Sequence, residues 1–111
     1  MIHNNTQVIS KCSQTNRLLL TYIIAGFPSR EETIEIIHNL SKNGIHIIEL
    51  GIPSSKPVYN SNTLYYAEIV ALKNNTNIDD CFYIVDACRK RGITIPILLC
   101  GHYVDYEKSL L

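Results

Sequence analysis

Apolar and polar residues follow two alternating patterns along the chain. Near-continuous apolar runs, rich in branched side chains, have the composition of strands buried on both faces of a parallel sheet. The segments between them repeat apolar residues at helical spacing. The strand-like runs are 17–26, 45–50 and 93–100, the helical segments are 27–44, 63–75 and 77–92, and a further helix begins at 105. Strands that alternate with helices predict parallel pairing through right-handed crossovers.

Residues that commonly begin and end helices bound these segments. Ser29 precedes Glu32 by the spacing of a capping box, and Asn77 precedes two acids that suit the first turn of a helix. Gly44 and Gly92 stand where helices commonly end. The inward-facing positions are expected to be Ile34, Ile37 and Leu40 in the first helix, Leu64, Ala67 and Ala71 in the second, and Ile78, Cys81, Phe82, Val85 and Cys88 in the third.

Two α/β architectures fit this order of elements. One is a flavodoxin-like open sheet, and the other is the N-terminal part of a (β/α)8 TIM barrel, with about three strands and their crossover helices. Three strands are few for an open sheet and fewer than half of those in a barrel. We expect a leader over residues 1–16 and a partial TIM-barrel domain over 17–111. The unpaired apolar sheet edges of a partial barrel favour self-association.

Composition narrows the class of protein. The 111 residues suit one domain, and 46% of them are hydrophobic, enough for a core. Ten basic and ten acidic side chains cancel, which argues against a nucleic-acid or anionic-membrane binder. The polar start has no apolar signal core, and the four cysteines have no metal-binding spacing. We therefore expect a cytoplasmic protein with reduced thiols and no metal site.

Glu49 is the main candidate for chemistry. It is the next-to-last residue of the second apolar run, and active sites in both architectures lie at the carboxyl ends of strands. A carboxylate that faces a barrel interior is poorly solvated, which suits general acid–base catalysis. An ordinary loop-edge glutamate that pairs with Lys42 or Lys56 fits the pattern equally well.

Other polar and aromatic positions are better explained by structure than by chemistry. His102 stands at a strand end without an identified partner, and His46 alternates with isoleucines at a packed position. We expect Tyr65–Tyr66 to serve core and helix packing rather than to form a ligand platform. Asp79–Asp80 suit the start of a helix rather than a metal site.

Two blocks of sequence, "LLLTYIIAGFPS" and "GIHIIELGIPSSKP", resemble the tryptophan synthase α subunit family. Tyr22, Gly26 and Pro28 match the family's turn after its first strand. The run 49–53, with Pro57, matches its "ELGIPFSDP" segment after the second strand. The spacing of the blocks and "IPILL" also fit, and the likeness covers roughly residues 15–103.

The resemblance implies a (β/α)8 barrel that cleaves indole-3-glycerol phosphate to indole and glyceraldehyde 3-phosphate. Glu49 would protonate the indole ring carbon, and Asn60 stands at the position of the family's second acid, which accepts the indole N–H. Tyr22 would line the indole pocket. The interface with the β subunit, which carries pyridoxal phosphate, would include Pro53, Lys56 and Pro57. The chain itself would need no cofactor.

Departures from the family's pattern predict an impaired lyase. Asn60 can accept an N–H bond but carries no charge to stabilise a cationic indole. Lys56 replaces an acid near the expected β-subunit contact and inverts the local charge. The family holds the substrate phosphate in the second half of the barrel, and no glycine-rich phosphate loop replaces that anchor here. The alternatives are a non-catalytic partner or activator of the β subunit and an inactive truncated remnant.

Overall fold

A computed structural model describes residues 17–57 and 61–102 of the chain. Its elements are β1 (Leu20–Ile24), α1 (Arg30–Lys42), β2 (Ile47–Gly51), α2 (Asn62–Lys73), α3 (Ile78–Lys90) and β3 (Ile97–Cys100). The predicted leader 1–16 and the helix expected from 105 lie outside the described residues. Each strand is shorter than its apolar run. Within the described part of the chain, no helix combines the length and apolar character that crossing a bilayer requires.

The sheet has the topology of a barrel segment. Its three strands are parallel and follow chain order, β1-β2-β3. Helices α1 and α3 pack together on one face of the sheet, against Ile48, Leu50 and Ile97. A flavodoxin-like sheet has the order 2-1-3 and helices on both faces, whereas a barrel keeps chain order with its helices outside. The prediction of a partial TIM barrel is therefore confirmed.

The buried face of α3 differs from the prediction at one position. Cys81, Ile84 and Cys88 are fully buried, whereas Phe82 is 53% exposed. An α-helix has 3.6 residues per turn, so positions 81, 84 and 88 share a face and position 82 is rotated away from it. Phe82 was wrongly assigned to the inward stripe, and Ile84 takes its place.

The predicted helix starts are confirmed by side-chain hydrogen bonds. Ser29 Oγ accepts the backbone N–H of Glu32 at 3.1 Å, which caps α1. The side chain of Asn77 accepts the N–H groups of Asp79 and Asp80, and the Asp80 carboxylate accepts the Asn77 N–H in return. This reciprocal pair is a complete capping box at the start of α3.

The turn after β1 is held from two directions. Gly26 has a φ of +86°, and its N–H donates to Thr33 Oγ1 at 3.0 Å. From the connection between α2 and α3, Asn74 Nδ2 donates to the carbonyls of Gly26 and Pro28 at 3.1 and 2.8 Å. The peptide bond before Pro28 is cis. The polar groups of the turn are thus engaged within the chain.

Replacing Gly26 by alanine should destabilise the fold more than the same change at Gly44. Both glycines have left-handed φ angles, +86° and +88°, which cost an alanine about 1–2 kcal/mol. A methyl group at Gly26 would also overlap the Thr76 side chain, whereas one at Gly44 meets nothing within 4 Å. We expect Gly26→Ala to lose a further ~1–3 kcal/mol in chemical denaturation. Equal losses in the two variants would contradict the close contact with Thr76.

Candidate active site at the carboxyl ends of the strands

Strand register places Glu49 between an aromatic and an aliphatic residue. Tyr22 pairs with Glu49 across β1 and β2, and Glu49 pairs with Leu98 across β2 and β3. Side chains alternate along a strand, and Ile48 and Leu50 face the helices, so Glu49 projects from the opposite face. This face, which we call the inner face, forms the inside of a barrel. Glu49 is half-buried there.

The loop-edge alternative for Glu49 does not describe its position. The residue lies inside β2, not in the connection that follows. Among the ion pairs of the described residues, none joins Glu49 to Lys42 or Lys56. Its position on the inner face therefore follows from strand pairing and not from a salt bridge.

Tyr22 lies across the end of β2. A methyl group added at Gly51 would collide with the Tyr22 hydroxyl and ring, so only glycine leaves room for the tyrosine there. Tyr22 also packs against a small cluster formed by Ile24, Ala67 and Ala71. The aromatic ring thus stands between the end of β2 and helix α2, on the same face as Glu49. Sequence reasoning identified Tyr22 and matched Gly51 to the family's motif, but it did not foresee their contact, because a close tertiary approach leaves no local signal.

Cys100 is an electrostatic neighbour of Glu49. It ends β3, pairs in register with Gly51, and lies on the inner face two residues after Leu98. Burial raises the pKa of the Cys100 thiol, and the negative charge of Glu49 raises it further. The carboxyl ends of all three strands therefore contribute to one site.

Glu68 is a second carboxylate at this end of the sheet. It is only 1% exposed, and its Oε1 accepts the backbone N–H of Ser54 at 2.6 Å. A buried polar group is costly unless it is hydrogen-bonded, and this bond engages one oxygen of the Glu68 carboxyl group. Sequence reasoning missed this residue. The signal was present: Glu68 follows Leu64 by four residues and so lies on the apolar face of α2 with Ala67 and Ala71.

The segment after β2 carries the remaining candidates. Pro53 is buried, Lys56 is exposed and Pro57 is half-buried. Asn60 lies outside the described residues. The structure thus brings Tyr22 and Glu49 together and presents Lys56 to solvent at the same end of the sheet.

Other highlighted residues have structural surroundings. Tyr65 and Tyr66 are 47% and 64% exposed, so neither lies in the core, and the buried face of α2 runs through neighbouring positions. The Tyr66 ring packs edge-on against Phe27, with ring centroids 6.2 Å apart. His46 Nδ1 accepts the Leu19 N–H at 3.0 Å. Asp80 completes the capping box of α3 and pairs with Arg30 at 3.3 Å. His102 is exposed.

Replacing Glu49 by glutamine should make Cys100 more reactive. Removing the neighbouring negative charge lowers the thiol pKa, so a larger fraction is thiolate at a given pH. We expect iodoacetamide to label Cys100 about two- to fivefold faster at pH 8, with the labelling profile moved to lower pH. Peptide mass spectrometry measures the rate at each cysteine.

Glu35→Gln is the matched control, because Glu35 lies on α1, where it pairs with Arg91. It should leave the Cys100 rate unchanged. Burial raises the pKa of Cys81 to about 12 and that of Cys88 to about 11, so both should stay slow in every variant. An unchanged Cys100 rate in Glu49→Gln would show that the carboxylate does not face the thiol.

Known proteins resemble this chain in sequence. The family model described as tryptophan synthase alpha chain matches residues 9–106. The tryptophan synthase alpha chain of Chloroflexus aggregans is 36% identical over 99 residues, which is 88% of this chain and 37% of that relative.

Solved structures agree with the sequence match. Tryptophan synthase subunit alpha from Legionella pneumophila superposes with a TM-score of 0.85 at 29% identity, covering 98% of this chain and 42% of that one. The tryptophan synthase α2β2 complex of Pyrococcus furiosus gives a TM-score of 0.74 at 32% identity, covering 83% and 36%. The chain spans about two fifths of the length of these relatives. With the family model matching almost its whole length, the chain belongs to the tryptophan synthase alpha chain family.

Proposed function

We propose that the chain supplies the first three strands of an α-type lyase site and takes part in tryptophan biosynthesis, cleaving indole-3-glycerol phosphate. The observation that carries the proposal is the position of Glu49, half-buried on the inner face and in register with Tyr22. A carboxyl group at the carboxyl ends of barrel strands is placed where such enzymes do their chemistry. The likeness to the family supplies the reaction.

Each residue has a distinct role in this proposal. Glu49 acts as the general acid that protonates the indole ring carbon at the bond being broken. That bond then breaks as the glycerol hydroxyl gives its proton to the Glu49 carboxylate left by the first transfer, which restores the acid and gives indole and glyceraldehyde 3-phosphate. Tyr22 forms one wall of the indole pocket. Asn60 accepts the indole N–H without charge, and the missing charge lowers the rate by about 10²–10³.

Substrate binding by this chain alone is expected to be weak. The described strands are three of the eight in a barrel, and the family holds the phosphate in the other half. Without that anchor, binding energy no longer positions the reacting carbon beside Glu49. The lyase activity should therefore be impaired.

A β subunit is the proposed partner. The Pyrococcus furiosus relative is part of an α2β2 complex whose components activate one another. In this chain the exposed Lys56 lies on the segment after β2, where the family's partner contact is expected. Pyridoxal phosphate would belong to that partner, and both proteins would be cytoplasmic.

A second candidate function is non-catalytic docking on the β subunit. Its support is the anchored and partly exposed segment 53–57: Ser54 is held by Glu68, and Ser54 Oγ accepts the N–H of Lys56 at 3.2 Å. This segment can present a defined surface to a partner whether or not substrate is cleaved.

Indole release tests the lyase proposal. The purified chain is mixed with indole-3-glycerol phosphate, alone and with a β subunit, and indole is measured. We expect slow release that increases with the β subunit and falls by about 10²–10⁴ in Glu49→Gln, because the general acid is lost. Asn60→Asp should raise the rate, since it restores a charged acceptor.

Glu35→Gln serves again as the control and should keep the activity of the unaltered chain. No indole from either mixture, with Asn60→Asp also inactive, would reject the lyase function. Release that persists unchanged in Glu49→Gln would reject the role given to that residue.

The charge of Lys56 tests the docking surface. Reversing it in Lys56→Asp restores the acid found in the family, so affinity for the β subunit should rise about three- to tenfold at low salt and less at high salt. Surface plasmon resonance measures the difference. Lys42→Asp makes the same charge change at the end of α1, away from the strands' carboxyl ends, and should have no effect. Equal affinities for Lys56→Asp and the unaltered chain would place the interface elsewhere.

A further inference from the structure

The chain leaves the sheet immediately after β2, and the buried carboxyl group of Glu68 then accepts a hydrogen bond from its backbone. Ile52 N–H donates to the Cys100 carbonyl at 2.7 Å, which continues the pairing of β2 with β3. Two residues later, Ser54 N–H donates to Glu68 Oε1 instead, and Lys56 N–H donates to Ser54 Oγ. The backbone bond at Lys56 therefore depends on a serine whose own amide is held by Glu68.

This connection is shielded from water. Ser54 and Glu68 are each 1% exposed, so the Ser54 amide cannot exchange its acceptor for solvent without the segment moving. The acceptor is a carboxyl oxygen, and the 2.6 Å separation is short for an N–H···O bond. The contact joins residues 14 positions apart, from two different parts of the connection between β2 and α3.

Helix α2 is itself fixed to the wall of the candidate site. Ala67 and Ala71, which flank Glu68 on its buried face, pack with Ile24 in the cluster that includes Tyr22. Glu68 therefore connects the segment after β2 to α2, and through α2 to β1, the strand that carries Tyr22.

We propose that Glu68 is a positioning residue that holds segment 52–57 in one conformation over the end of the strand bearing Glu49. The holding itself is independent of activity. Its consequence rests on the proposed function: the segment carries Lys56, so its order sets how Lys56 meets a partner.

Amide hydrogen exchange of the full chain tests the proposal. In Glu68→Ala we expect exchange in 52–57 to accelerate at least about tenfold, with α1 and β2 unchanged, because the Ser54 amide loses its acceptor. Glu68→Gln keeps an acceptor oxygen at the same reach and should stay within about threefold of the unaltered chain. Glu68→Asp is shorter by one methylene and should behave like Glu68→Ala.

Tyr65→Gly is the matched control, since Tyr65 lies on the exposed side of α2 and the change weakens the same helix without disturbing its buried face. Faster exchange confined to 52–57 in Glu68→Ala and Glu68→Asp, absent in Tyr65→Gly and rescued in Glu68→Gln, supports the proposal. Unchanged exchange in 52–57 overturns it. Acceleration spread over the whole chain, equal to that of Tyr65→Gly, also overturns it by reducing Glu68 to a general stabiliser. If Glu68→Ala does not fold, Glu68→Asp and Glu68→Gln decide alone.

Indole release and β-subunit affinity, measured on the same variants, separate this inference from the proposed function. A segment that opens in Glu68→Ala, together with weaker β-subunit binding that Glu68→Gln restores, supports both. A segment that opens in a chain that neither releases indole nor binds the β subunit leaves the positioning role standing and rejects the function.

Discussion

The parallel pairing of β2 with both of its neighbours is the constraint on which the rest of the structure depends. It sets Glu49 in one row with Tyr22 and Leu98, while Ile48 and Leu50 on either side of it are fully buried against the helices. A slip of one residue would carry the carboxylate into that core and expose both aliphatic side chains. The exposure alone would cost about 1.5–3 kcal/mol for each side chain, and the buried charge several more. The apolar pattern of β2 thus holds its one acid on the inner face.

The two faces of the sheet contribute unequally to folding. On the outer face, aliphatic residues of all three strands pack against α1 and α3 in one continuous cluster. On the inner face, the buried cluster consists of Ile24, Ala67 and Ala71, while Leu20 and Leu98 remain 44% and 37% exposed. Since stabilisation follows the apolar area removed from water, the packing on the outer face holds the strands in place, and the inner face contributes little to their stability.

Sequence patterns predicted best those features that depend on interactions between residues close together in the chain. The helix starts at Ser29 and Asn77 could be read because a cap and its amide partners lie within three residues. The error at Phe82, where Ile84 is buried instead, arose because several apolar residues of α3 compete for one face and only the packing against α1 selects among them. The place of Glu68 on the apolar face of α2 could have been read from its spacing, but its partner, Ser54, is 14 residues away, and sequence pattern alone does not reveal that contact. The strand bearing Glu49 could be predicted from its apolar run, and Tyr22 was identified through the resemblance. The pattern alone left the face of Glu49 open between a barrel interior and a loop edge, and it did not reveal Cys100 as a neighbour.

Because the outer face stabilises the sheet and the candidate site lies on the inner face, the chain keeps its family's fold while the loop after β2 departs from the family's pattern. The register of β2 is set by Ile48 and Leu50 on the outer face, so a change in the segment after the strand leaves Glu49 in place. A lysine at position 56 is exposed and removes no buried contact, so its folding cost is small. The buried bond from Ser54 to Glu68 is the exception in this segment, since breaking it leaves a shielded amide without an acceptor. Side chains in the segment after β2 can therefore change without loss of the fold, provided that the outer-face core and the bond from Ser54 to Glu68 persist.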